Sequence, residues 1–113
     1  MSFLKKQSAA AKKVFQFTRE HKLAQISHNV EIINKLGMHA RAAAKFVKLA
    51  TTFRSNIDLE RNKQRVNGKS IMGVMMLAAS KGSQVTIHAE GNDAKESIDQ
   101  LEQLINNRFD EDE

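Results

Sequence analysis

Cysteine, proline, tryptophan and tyrosine are all absent from this chain of 113 residues. Without cysteine there is no disulfide, thiolate metal site, iron–sulfur cluster or cysteine nucleophile. Without proline no turn is locked by a cis-prolyl bond. The lack of tryptophan and tyrosine removes the stacking platforms those rings give to bases. No apolar run approaches the ~20 residues of a membrane-spanning helix, which excludes an integral helical membrane protein. What is present, 41% hydrophobic and 27% charged residues, is ordinary for a globular chain, and the length suits one core with a tail.

The net charge of +5 is unevenly placed. Residues 1–26 carry Lys5, Lys6, Lys12, Lys13, Arg19 and Lys22 against Glu20, whereas residues 27–113 balance twelve basic with twelve acidic side chains. The chain therefore reads as a basic extension over 1–26 joined to a neutral domain over 27–113, and no nucleic-acid partner is expected from the overall charge. Leu4, Ala11, Val14, Phe15 and Phe17 lie near helical spacing with lysines on the flanks, which predicts an amphipathic helix. Such a helix can rest on its own domain, enter a partner's groove or contact an anionic membrane. It lacks the continuous apolar centre and cleavage site of a secretory signal.

From residue 27 the pattern becomes that of a folded domain. Val30 and Ile32 alternate with polar neighbours over 28–33, as in a half-buried strand. Residues 34–37 read as a turn, and Ala43, Phe46, Ala50 and Phe53 predict a helix over 40–52. Ile57 and Leu59 mark a second strand and Val66 a short third over 64–67, with polar Asn62-Lys63 as the hairpin turn. Ser70 opens a short helix carrying Ile71, Val74, Met75 and Ala78, closed by Lys81-Gly82. Val85, Ile87 and Ala89 form a fourth strand. Asp93 and Glu96 read as a capping box for a last helix with Ile98, Leu101, Leu104 and Ile105, ahead of an acidic, solvated run over 110–113. The order β-α-β-β-α-β-α, with no strand apolar on both faces, predicts an α+β two-layer open-faced sandwich. Its four-stranded sheet is mainly antiparallel, with three helices on one face.

Histidines stand at positions 21, 28, 39 and 88. His21, His28 and His88 read as solvated side chains. No HExxH helix or cysteine pair supplies a metal-ligand set, so no metal is expected. His39 differs in its position directly before a helix, where first-turn N–H groups lack intrahelical partners and the aligned peptide dipoles favour an anion. A cation there meets like charge, which favours the neutral, nucleophilic imidazole. Arg41 adds a guanidinium fork suited to phosphate oxygens. His39-Ala40-Arg41 thus joins a nucleophile to an anion receptor, although the same spacing is met by a plain N-capping histidine.

The segment Gly37-Met-His-Ala-Arg-Ala-Ala43, followed by Phe46-Val-Lys-Leu-Ala50, resembles the active-site segment of the HPr family. HPr proteins are the small histidine phosphocarriers of the bacterial phosphoenolpyruvate-dependent phosphotransferase system. A second segment, Val66-Asn-Gly-Lys-Ser-Ile-Met-Gly-Val-Met-Met-Leu77, resembles the family's regulatory-serine stretch, and the element order is that of the family fold. The resemblance covers about 27–109. Gly-Met-His-Ala-Arg and the closing Phe-Asp-Glu-Asp are similar to the nitrogen-branch relatives called NPr. Gly-Lys-Ser-Ile-Met-Gly-Val-Met is instead similar to HPr proteins that are substrates of HPr kinase, so the branch stays open.

By this resemblance His39 is phosphorylated on Nδ1 by enzyme I and hands the group to an EIIA-type protein, with Arg41 stabilising the phosphate. Ser70 matches the serine targeted by HPr kinase/phosphorylase. The resemblance also implies a docking patch formed by Ala40, Ala44, Ile71, Met72 and Met75. Helical spacing favours Met72 for exposure and leaves Met75 between interface and core. There are two departures. Ala42 stands where the family has proline, and residues 1–26 have no counterpart. The expectation is a cytoplasmic, monomeric phosphoryl carrier that is not an enzyme and needs no cofactor. The alternative is a regulatory protein whose phosphorylation state controls binding to a transcription factor or metabolic enzyme. Membrane contact would fall to residues 1–26.

Overall fold

Alternation of apolar and polar residues dictates the sheet. In the computed structural model, which describes residues 24–113, the strands are β1 (Ala24–Glu31), β2 (Asn56–Arg61), β3 (Gln64–Asn67) and β4 (Gln84–Gly91). The amphipathic helix expected at the start of the chain lies outside the described residues, apart from its last positions. The helices are α1 (Ala40–Ala50), α2 (Ile71–Met76) and α3 (Ala94–Asn106). Strand order is β1-β4-β2-β3 with every neighbour antiparallel. Val30 stands opposite Val85, Leu59 opposite Ile87 and Ile57 opposite Ala89, so the apolar side chains of three strands share one face. The helices cover that face and bury Phe46, Val74, Ile98, Leu101 and Ile105 against it. The other face is open, as the sequence predicts.

Several boundaries differ from expectation. β1 begins at Ala24 rather than 28, because Ile26 continues the inward alternation of Val30 while Gln25, Ser27 and Asn29 face out. Its residues past Glu31 leave the strand, but Gly82 N–H still donates to Ile32 O at 2.7 Å. α1 stops at Ala50, with Thr51 as its C-cap. α2 stops at Met76 because Ala78 takes a left-handed backbone (φ 49). Ala78 is therefore exposed rather than part of the helix face, and Val74 with Leu77 anchors this turn to the core. The hairpin turn is as expected: Asn62 (φ 52) and Lys63 (φ 69) are both left-handed, as the twist of a two-residue loop demands.

Asp93 makes no side-chain cap on α3. Its carboxylate accepts instead from the Arg54 and Ser55 N–H groups, each at 2.9 Å, and from the Ser55 hydroxyl. The Ser55 hydroxyl first, then these amides, hold the Asp93 carboxyl below its ordinary value. The folded state binds this proton more weakly than the unfolded chain does. The contribution is therefore present above the unfolded value of ~3.9 and is lost as pH falls through the lower folded value. Asp93→Asn should show its full stability deficit near neutral pH and a shrinking one in acid, as read by urea denaturation across pH. A deficit independent of pH would contradict this.

Candidate functional site

The loop before α1 is built to deliver one histidine. Asn34 is buried, and its Nδ2 donates to Gly37 O at 2.8 Å, closing the turn on itself. Gly37 has φ +69, and a Cβ there would stand 2.6 Å from Ala79 O, so only glycine fits the backbone and the space. Met38 is buried and its N–H donates to Ala79 O at 2.8 Å. His39 thereby falls at the N-cap of α1 in extended conformation. The first helical bond runs from Ala43 N–H to His39 O at 2.8 Å, so the amides of Ala40, Arg41 and Ala42 precede the ladder. Arg41 N–H donates to His39 Nδ1 at 3.3 Å. Nδ1 thus faces the helix mouth, while the side chain keeps 26% of its surface exposed.

The ring's other nitrogen has a partner that the sequence reading missed. His39 Nε2 lies 2.6 Å from Glu111 Oε2, and Glu111 Oε1 accepts from Asn34 Nδ2 at 3.1 Å. The acidic run over 110–113, expected to be solvated, folds back over this site. Phe109, fully buried, anchors it, and Lys45 Nζ donates to Phe109 O at 2.7 Å. Ile98, Leu101, Ile105 and Phe109 step by three and four, so the register of α3 extended past its end was the available signal. Burial opposes ionisation of Glu111. The hydrogen bonds from His39 and Asn34 and the nearby Lys45 charge outweigh it and hold the carboxyl below its ordinary value.

Arg41 is exposed, and its guanidinium pairs with no acid among the described residues. It borders an open cavity of about 320 Å³ shared with Lys35, Leu36 and Glu111 to Glu113. Lys35 Nζ pairs with Glu113 at 3.2 Å, so of the two cations bordering this cavity Arg41 is the one without an acidic partner among the described residues. Ala42 and Ala43 are buried under α1, whereas Ala40 and Ala44 face solvent.

Ser70 is the N-cap of α2, its Oγ accepting from Gly73 N–H at 3.0 Å. Ile71, Met72 and Met75 are exposed, Met72 most of all at 76%, and so are Met76 and Leu36, which sequence periodicity did not single out. A helix of six residues with one buried position cannot hide its methionines. α1 packs against α2, so these side chains and His39 belong to neighbouring elements of one layer.

The remaining described histidines are not simply solvated. His28 Nδ1 lies 3.2 Å from Glu102 of α3. On the open sheet face His88 is clamped between Ser27 Oγ and Glu60 Oε1, each at 2.7 Å. Its cross-strand partner is Ser27, and the alternation that placed it on the polar face did not reveal those bonds. His21 lies outside the described residues. Among the described residues no cluster of three or more His, Asp or Glu side chains is placed to hold a metal.

Residues 26–107 match the family described as "PTS HPr component phosphorylation site". The chain is 54% identical over 85 residues to the phosphocarrier protein HPr of Pseudomonas aeruginosa, covering 74% of this chain and 94% of that one. With the phosphocarrier protein HPr of Neisseria meningitidis it shares 49% over 88 residues, 78% of this chain and 99% of that one. An HPr structure from Thermoanaerobacter tengcongensis superposes with a TM-score of 0.75 at 45% identity, covering 78% and 99% of the two chains.

Proposed function

This chain belongs to the HPr family of phosphocarriers of the phosphotransferase system, and from that premise we propose that it accepts a phosphoryl group on His39 from enzyme I and donates it to an EIIA-type protein. The supporting observation is the partly exposed His39 imidazole at the mouth of α1, with Nδ1 turned toward the Arg41 amide. Phosphoryl transfer needs positioning and charge stabilisation more than covalent help from the protein. Amides at a helix N-terminus supply donors and a favourable dipole for the phosphoryl oxygens, and the Arg41 guanidinium supplies the fixed positive charge. A phosphoramidate passes its phosphoryl group on readily, which suits a carrier. Ala40 and Ala44 of α1 and the exposed Ile71, Met72 and Met75 of α2 form the face that receives both partners, since unbranched methionines adapt to more than one surface.

Ser70 is the regulatory position in this reading. A phosphate on an N-cap brings roughly two negative charges to a helix terminus that tolerates them. The same charge stands at the edge of the apolar face and opposes acidic partner surfaces. Ser70→Asp should slow acceptance from enzyme I without unfolding α2, and equal initial rates for both proteins would refute this role. The carrier function itself is tested by incubating the full chain with enzyme I and labelled phosphoenolpyruvate. Acid-labile label should enter the wild type at one equivalent and should be absent from His39→Ala. Label retained by that variant would overturn the assignment.

A further inference from the structure

The contact between His39 and the end of the chain is too well built to be a loose tail. Glu111 is reached through three consecutive left-handed residues, Arg108 (φ 57), Phe109 (φ 54) and Asp110 (φ 65). Non-glycine residues hold such a backbone only where the surroundings over-determine it. Here the surroundings are the buried Phe109 ring, Lys45 Nζ on the Phe109 carbonyl, Lys35 N–H on the Glu113 carbonyl and Asn34 Nδ2 on Glu111 Oε1. The Glu111 side chain is 15% exposed. The two ring contacts also agree with each other. A carboxylate cannot donate, so Nε2 must carry the hydrogen toward Glu111. A backbone N–H can only donate, so Nδ1 must offer its lone pair toward Arg41.

We propose that Glu111 is a positioning residue for the transfer reaction: it keeps the imidazole proton on Nε2, so that Nδ1 is the nucleophilic atom and later a neutral leaving atom. This rests on the reading of His39 as the phosphoryl acceptor. In acceptance, the Nδ1 lone pair forms the N–P bond while the bond from phosphorus to the donor's leaving atom breaks and leaves its electron pair there. His39 gains no proton and loses none. The ring becomes a phosphorylated imidazolium whose Nε2–H faces the Glu111 carboxylate. In donation, the N–P electron pair returns to Nδ1 and the ring leaves neutral, with the same proton on Nε2. Were that proton lost to water, the leaving group would be an imidazolide anion. The groups facing Glu111 and His39 fit this role: the Lys45 charge of α1 stabilises the carboxylate, and the Arg41 backbone N–H faces Nδ1.

The test uses the full chain with Glu111→Gln, Glu111→Ala and Glu111→Asp. Ring ¹⁵N spectra of the unphosphorylated protein, recorded where the imidazoles are neutral, should show His39 almost wholly as the Nε2–H tautomer in the wild type. The Nδ1–H tautomer should appear in the Gln and Ala variants, with the Asp variant between, while the His88 ring signals stay unchanged. Acceptance and donation rates should fall about 10- to 100-fold in the Gln and Ala variants, by analogy with the loss of a carboxylate that orients a metal-binding histidine. An unchanged His39 tautomer, or unchanged rates beside a wild type that takes phosphoryl on His39, would overturn the proposal. A wild type that takes none would instead overturn the carrier reading, so the two failures are distinguishable.

Discussion

Phe109→Ala is expected to lower the unfolding free energy by about 3–5 kcal/mol, a large share of a domain total of roughly 5–15 kcal/mol. The ring is fully buried and belongs to the same apolar row as Ile105 and Leu101 of α3. The left-handed backbone of Arg108, Phe109 and Asp110 costs about 1–2 kcal/mol per residue, and burial of this ring offsets it together with the hydrogen bonds of Lys45, Lys35 and Asn34 to the segment. Truncation therefore removes the anchor of the whole segment, and Glu111 should leave His39 with it. Urea denaturation checks the stability, and the midpoint should fall without a change of slope. A loss below about 1 kcal/mol, the size of an ordinary surface change, would mean that the ring does not hold the segment.

Gly37→Ala should be the second large effect, acting on geometry as much as on stability. A methyl group there meets Ala79 O at 2.6 Å and Ser80 Cα at 2.8 Å. These are backbone atoms of the loop after α2, which cannot yield by rotating a side chain. Adding about 1–2 kcal/mol for a left-handed alanine to about 1–3 kcal/mol for overpacking gives a loss of roughly 2–5 kcal/mol. Relief comes only by moving residues 37–39, and a shift near 1 Å at a reacting group lowers rates about 100-fold. Gly82→Ala is the control: φ is +92 but nothing lies within 4 Å of the added Cβ, so only the conformational part applies. Equal losses for the two variants would contradict the clash.

The fold was legible because each strand carries its own alternation and each long helix its own apolar stripe. Val85, Ile87 and Ala89 announce β4 whatever they pack against, and Asn62-Lys63 announces its turn. The misses lie where tertiary contacts overrule local pattern. Ile26 joins β1 because β4 is there to pair with it. Asp93, spaced like a helix cap, is taken by Ser55 and the Arg54 amide across the fold. α2 ends early because Ala78 turns left-handed, which no propensity of alanine suggests. At the candidate site, His39, Arg41 and Ser70 were legible because a helix start is written in adjacent residues. Glu111 was not, since it stands 72 positions from His39 and its acidic neighbours are the usual mark of a solvated run. Phe109, alone among polar residues and in register with α3, was the one sign that the segment returns to the core.

The central claim is that a phosphoryl group resides on Nδ1 of His39, and combined ³¹P and ¹⁵N spectroscopy of the protein phosphorylated through enzyme I tests it directly. The expected result is one phosphorus signal coupled to Nδ1 of the His39 ring, with the Nε2 hydrogen still in place. A phosphorus signal on Nε2, or on the ring of His21, His28 or His88, would contradict it.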